Sequence, residues 1–408
     1  MAFIREARET ESVYATRIRG RHQCGNRAID AARGRRARMK IGMTCYPTYG
    51  GSGIVATELG MELATRGHEI HFITYENPIR LDTRIPGIHY HEVEVVDYPL
   101  FQHQPYTLAL ASRMSEVIRS EGLDLLHVHY AIPHSVSALL AQSVLDEHRR
   151  VPYITTLHGT DITLVGLERA YFPITRFSIQ RSDGVTTTSR YLAEKTRDVF
   201  GIEKKIHVVP NFVNCELYKP RKKIGYAQGS ERILIHISNF RPVKRILDCI
   251  QILKLVREET PARLLMVGDG PDRRAAEELA QELGLSSYVE FLGKQGQIHQ
   301  ILLEADILLL PSQLEGFGLV ALEAMACGVP AVATQTGGVP EVIQNGIDSY
   351  MELPGDINAQ AAKVGRLLQD EDLYSKISRG ARETALQRFG TTRVIPLYES
   401  LYKKITCS

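Results

Sequence analysis

From Met39 onward, short apolar runs alternate with amphipathic stretches, and the whole alternation is played through twice. Such a pattern is the mark of βαβ units building parallel sheets. In the first set, Lys40 to Cys45 reads as a buried strand, Gly50-Gly51-Ser52-Gly53 as a tight loop and Ile54 to Arg66 as a helix closed by Gly67. Further strands are predicted at Glu69 to Thr74, Leu125 to His129, Tyr153 to Leu157, Gly184 to Thr188 and His207 to Val209. Around Lys219 to Ser230 the chain turns polar and loses its period, which marks a domain boundary. A second set of strands follows at Arg232 to Ser238, Arg263 to Gly268, Val289 to Leu292, Ile307 to Pro311 and Ala331 to Thr334, and Thr391 to Ile405 reads as one or two terminal helices. The expected fold class is α/β, with two Rossmann-like domains facing a cleft. The expected division is an Arg-rich extension over 1–38, an acceptor-binding domain over 39–222, a nucleotide-sugar-binding domain over 223–390 and terminal helices over 391–408.

Length agrees, because 408 residues exceed one ordinary core and suit two domains of about 100 to 200 residues each. A hydrophobic content of 44% with 24% charge is that of a globular protein, and no apolar run approaches the ~20 residues of a membrane-spanning helix. The 6 cysteines are scattered without C-x-x-C pairing, which argues against a disulfide framework or zinc site and for a reduced, cytoplasmic setting. Residues 1–38 hold ten arginines, no lysine and four acids, without the apolar stretch of a secretory signal. Their composition reads as disordered, and Met39 as the expected start of the folded protein. No nucleic-acid partner is expected from so short a basic arm in a chain of net charge +2.

The most informative segment runs from Pro311 to Pro330, where a strand end, the loop Glu315-Gly316-Phe317-Gly318-Leu319 and a helix ending at Gly328 succeed one another. Backbone N–H groups and the positive helix end are aimed at that loop, which suits a diphosphate. Glu323 lies inside the helix, where a carboxylate could accept from both hydroxyls of a ribose, while Glu315 could accept from a sugar. Asn239-Phe240-Arg241-Pro242-Val243-Lys244 follows the first strand of the second set and brings cations able to neutralise a leaving diphosphate without a metal. The sole Asp-x-Asp string, Asp370-Glu371-Asp372, reads as an acidic helix start, so no metal site is expected. Gly50 to Gly53 does not have the G-x-G-x-x-G spacing, and the next strand runs Ile73-Thr74-Tyr75 before Glu76, which disfavours a dehydrogenase.

The E-G-F-G-L…E string resembles the signature of retaining glycosyltransferases of family four, with the GT-B fold, and the resemblance extends over residues 39 to 405. It implies a metal-independent hexosyltransferase without a cofactor. It also implies donor contacts for Gly53, Asn239, Arg241, Lys244, Glu315, Phe317, Gly318, Leu319 and Glu323, with Lys244, Glu315 and His158 at the reacting centre. The usual arginine of the cationic pair is replaced by Asn239. Thr44-Cys45-Tyr46-Pro47, His127 to His134 and Thr155 to Thr163 resemble a subgroup that opens bacillithiol biosynthesis. That resemblance implies UDP-N-acetylglucosamine and L-malate as substrates, no membrane insertion, and a homodimer. Ser52, Tyr130, Thr155, Thr156, Arg190 and Asn214 are the candidate acceptor groups, Arg190 because a guanidinium pairs with a carboxylate through two bonds. Asp161 is left between orienting its loop and serving the site. Rival readings are a family member with an inositol phosphate, glycan or lipid acceptor, a UDP-sugar epimerase, and a non-catalytic nucleotide-sugar-binding protein. An exposed basic and apolar face on the first domain would favour a lipid, and the sequence shows no such amphipathic stretch.

Overall fold

The structure, a computed structural model, describes residues 38–407 other than 49, 98, 101 and 221–230. The Arg-rich extension and the expected boundary at 222/223 lie outside the described residues. The first sheet contains β1 (Lys40–Thr44), β2 (Glu69–Thr74), β3 (Ile88–Glu92), β4 (Leu125–His129), β5 (Tyr153–Leu157), β6 (Gly184–Thr187) and β7 (Ile206–Val208). Its order is β3-β2-β1-β4-β5-β6-β7, and every pairing is parallel. The second contains β8 (Arg232–Ser238), β9 (Ala262–Gly268), β10 (Val289–Gly293), β11 (Ile307–Leu310), β12 (Ala331–Thr334) and β13 (Tyr350–Glu352). It is also parallel, in the order β10-β9-β8-β11-β12-β13.

Each central strand is buried because helices cover both faces of a parallel sheet. The Gly51–Thr65 helix shows how the sequence achieves this. Val55, Ala56, Leu59 and Leu63 recur on one face and are buried, and Gly60 makes room for the Phe72 ring, whose Cζ lies only 2.4 Å from where a Cβ would stand. The helix starts at Gly51, three residues earlier than the expected start at Ile54, so the loop expected over Gly50 to Gly53 is a helix start instead. Two strands were missed by periodicity. β3 is an edge strand with one buried residue, and β13 is three residues long, so neither presents an apolar run.

The terminal segment is one helix, Thr391–Thr406, and it returns to the first sheet. Val394, Ile395, Tyr398 and Tyr402 pack with Met39, Ile41 and Met43 in one apolar cluster. Asp370 caps the preceding Glu371–Phe389 helix, its carboxylate accepting from the Leu373 amide, as the acidic string suggested.

Candidate active site

In a parallel α/β sheet, ligands bind where the strand order reverses, beyond the carboxyl ends of the strands. In the first sheet that point lies between β1 and β4, and in the second between β8 and β11. The segments leaving these four strands, with the one leaving β5, carry most of the residues singled out above. They wall one cavity of about 990 Å³, built by Ser52, Tyr130 and His158 from the first unit and by Asn239, Arg241, Lys244, Glu315, Phe317, Gly318 and Leu319 from the second.

Lys244 and Glu315 come together across the second switch point. The Lys244 Nζ donates to Glu315 Oε1 at 2.6 Å, and Ser312 Oγ donates to the same oxygen at 2.7 Å. Glu315 Oε2 and two of the three ammonium protons are left for a ligand. The loop is held from behind by Gly337-Gly338, whose amide at Gly338 donates to the Glu315 carbonyl at 2.9 Å. A Cβ on Gly337 would lie 1.9 Å from that carbonyl oxygen, and one on Gly338 would lie 2.2 Å from the Gly316 carbonyl oxygen. The two units also touch here. Ser189 Oγ donates to the Gly316 carbonyl at 2.7 Å, and a Cβ on Gly316 would meet the His158 carbonyl at 2.8 Å.

On the first unit, Asp161 ties two cleft loops together. Its carboxylate accepts from the amides of His158, Gly159 and Ala131 at 3.1, 2.8 and 3.2 Å. Burial pushes this acid up to about 6 against those three amides. Tyr130 is held at φ 95°, a left-handed conformation costly for a residue with a Cβ, and its hydroxyl bonds Thr160 Oγ1. Burial lowers His158 to about 3, so its ring is neutral.

Several expected site residues are not brought to the cavity. Thr155 and Thr156 are fully buried inside β5, which runs on to Leu157, and their hydroxyls are used by Ser182 at 2.7 Å and His127 at 2.6 Å. Asn214 donates to Glu62 and accepts from the Glu216 and Leu217 amides, a turn-building role. Arg190 opens the Arg190–Phe200 helix with an exposed side chain, while its amide and that of Tyr191 donate to Glu341 of the second unit. Gly53 is buried under the Tyr46 carbonyl, 2.2 Å from where its Cβ would be, so close packing explains this glycine. Glu323 is off the wall too, accepting from the Tyr218 hydroxyl at 2.8 Å with Arg80 at 3.4 Å.

Tyr46, Thr48, Thr160, Tyr191 and Asn211 line the cavity and were given no site role from the sequence, although Tyr46 and Thr160 lie in the strings that carry the subgroup resemblance. Arg80, Glu341 and the Gly337-Gly338 pair also went unread. Only the glycine pair carried a signal, since two residues separate it from a strand of the second set.

The model for Glycosyltransferase Family 4 matches residues 49–217, and that for Glycosyl transferases group 1 matches residues 220–384. N-acetyl-alpha-D-glucosaminyl L-malate synthase of Bacillus anthracis is 46% identical over 371 residues, which cover 90% of this chain and 97% of that protein. The chain belongs to glycosyltransferase family four. It is a retaining glycosyltransferase of the GT-B fold. Sucrose-phosphate synthase from Thermosynechococcus elongatus superposes with a TM-score of 0.75 at 20% identity, covering 91% of this chain and all of that one (100%). The Anabaena HepE protein, solved with UDP and glucose, gives a TM-score of 0.74 at 19% identity, covering 90% of this chain and 100% of its own. Among the described residues no helix is long and apolar enough to cross a membrane.

Proposed function

We propose that this enzyme transfers N-acetylglucosamine from UDP-N-acetylglucosamine to the hydroxyl of L-malate with the α configuration retained. The observation that carries the reading is that both switch points open on one cavity, in a chain 46% identical to a synthase of that name. The diphosphate lies against Lys244, Arg241 and the amides of Gly316 to Leu319. Malate lies toward the first unit, with Ser52, Tyr130 and the amides that begin the Gly51–Thr65 helix, whose positive end favours carboxylates.

In the proposed reaction, the bond between the anomeric carbon and the β-phosphate oxygen breaks first. Positive charge spreads over the sugar ring while Lys244 and the loop amides take up negative charge on the phosphate. The malate hydroxyl oxygen then bonds to the anomeric carbon on the face UDP is leaving, and its proton passes to a phosphate oxygen. The rival retaining route needs a carboxylate nucleophile. Asp161 is committed to three amides, which supports the front-face route over one with Asp161 as nucleophile.

The test is to incubate the protein with UDP-N-acetylglucosamine and L-malate, with and without a chelator, and to follow UDP release and product mass. Malate-dependent release of UDP with an α-linked product, unchanged by chelator, is expected. UDP release that ignores malate would sink the acceptor assignment, and loss with chelator would sink the metal-independent route.

A further inference from the structure

His158 stands on the cavity wall with one ring nitrogen already committed. Its Nε2 lies 2.9 Å from Nδ1 of His129, the last residue of β4, and the two rings meet edge to edge, 27° from parallel with centroids 5.1 Å apart. Burial pushes both rings well below the ordinary histidine range, so both are neutral near pH 7. Two neutral imidazoles at that distance share one proton, with one ring donating and the other accepting.

The far side of His129 decides which ring donates. Its Nε2 is buried and meets no hydrogen-bond partner among the described residues. The neighbouring ring of His127, 4.3 Å away between centroids, cannot serve it, because His127 spends both nitrogens on the Tyr402 hydroxyl and Thr156 Oγ1. If His158 donated, the proton of His129 would sit on that Nε2 as a buried N–H with no acceptor. Orphaned buried N–H groups are rare in folded proteins, whereas under-satisfied acceptors are better tolerated. The favoured arrangement has His129 donating from Nδ1, with a bare lone pair at Nε2. His158 then accepts at Nε2 and carries its own proton on Nδ1, the one ring nitrogen left to meet a ligand.

We propose that His129 is a positioning residue that fixes His158 in the Nδ1–H tautomer, so that His158 offers the bound nucleotide-sugar a neutral hydrogen-bond donor and no base. The identity of that ligand rests on the function proposed above, but the tautomer does not. The Asp161 carboxylate complements the arrangement by holding the His158 and Gly159 amides, so ring and backbone are fixed by separate partners. A donor at this place can stabilise a sugar hydroxyl or phosphate oxygen as charge develops, while proton removal from the acceptor is left to the phosphate.

The experiment reads the tautomer directly in the ligand-free wild-type protein. With 15N-labelled histidine, and the His158 signals assigned by their loss in His158→Asn, a pyrrole-type shift is expected at Nδ1 and a pyridine-type shift at Nε2. The reverse pattern, or an even mixture, would overturn the proposal. A second arm compares His129→Asn, which keeps an N–H near the position of Nδ1, with His129→Leu, which does not. In the leucine variant kcat is expected to fall about tenfold with KM for the nucleotide-sugar little changed, and the asparagine variant to recover most of the loss. Wild-type kcat in His129→Leu, or equal loss in two folded variants, would also overturn it. Failure to use malate with the expected tautomer present would count against the acceptor reading alone.

Discussion

Lys244 and Glu315 meet each other at 2.6 Å before either meets a substrate, each one-fifth exposed or less at its side chain or close to it (21% and 12%). A half-buried pair of this kind keeps the ammonium extended over the loop, so its remaining protons are placed without further ordering when the diphosphate arrives. Lys244→Ala is therefore expected to lower kcat by about 10²–10³-fold, the usual worth of one well-placed donor to developing charge, with a smaller change in KM. Steady-state kinetics on the purified variant check this, and a kcat within threefold of wild type would remove Lys244 from the phosphate role. Both residues were legible in the sequence because a cation and a carboxylate each followed a strand of the second set. Thr155, Thr156 and Asn214 were misplaced for the opposite reason. A hydroxyl or amide near a strand end looks the same in sequence whether it faces a ligand or, as here, a neighbouring Ser182, His127 or Glu62.

At the scale of elements, the loop Glu315 to Phe317 keeps its shape because a second turn is pressed against it. Gly337 sits at φ 55°, and an added Cβ would fall 1.9 Å from the Glu315 carbonyl oxygen, which is backbone and cannot step aside cheaply. Gly337→Ala is expected to cost about 1–3 kcal/mol of stability and to reduce kcat/KM for the nucleotide-sugar by about tenfold or more, because the displaced atoms belong to the donor loop. Gly365→Ala is the control. Its Cβ would meet nothing within 4 Å in the Ile357–Gln369 helix, so the exchange should be neutral or stabilising by up to about 1 kcal/mol with unchanged kinetics. Thermal melts and initial rates on the two variants separate these outcomes. Strands such as β2, β4, β5, β8 and β12 could be read to the residue, since buried parallel strands are continuous apolar runs. β3 could not, because His89 and His91 break its apolar pattern at a sheet edge, and the early start of the Gly51–Thr65 helix could not, because tertiary packing of Gly53 under Tyr46 overrides the poor helix propensity of glycine.

For the whole molecule, the two units are joined away from the cavity by a buried charged cluster that no motif announced. Arg80, from the segment after β2, donates to Glu58 of its own unit at 2.7 Å and lies 3.4 Å from Glu323 of the other, while Tyr218 donates to Glu323 at 2.8 Å. One cation thus serves two buried carboxylates. Burial, then the nearby Glu323 charge, pushes Glu58 up from 4.5 to about 7 despite Arg80. A carboxyl whose folded pKa lies above its unfolded value binds more protons folded than unfolded between the two, so its contribution to stability declines as pH rises from about 4.5 to about 7. Glu58→Gln removes that titration. At pH 5 the variant sets a neutral amide where wild type holds a neutral carboxyl, so the two start close in stability, and the variant should gain on wild type by about 2–3 kcal/mol between pH 5 and pH 8. Urea unfolding of both proteins at the two pH values measures the change in their difference, and parallel behaviour would mean that Glu58 is charged throughout. A gain of that size would show that the junction is held with one of its two carboxylates protonated near neutral pH. Glu323, itself pushed up by burial, holds Tyr218 and Arg80 together, and the second unit is fixed against the first at the distance that lets Gly316 touch His158.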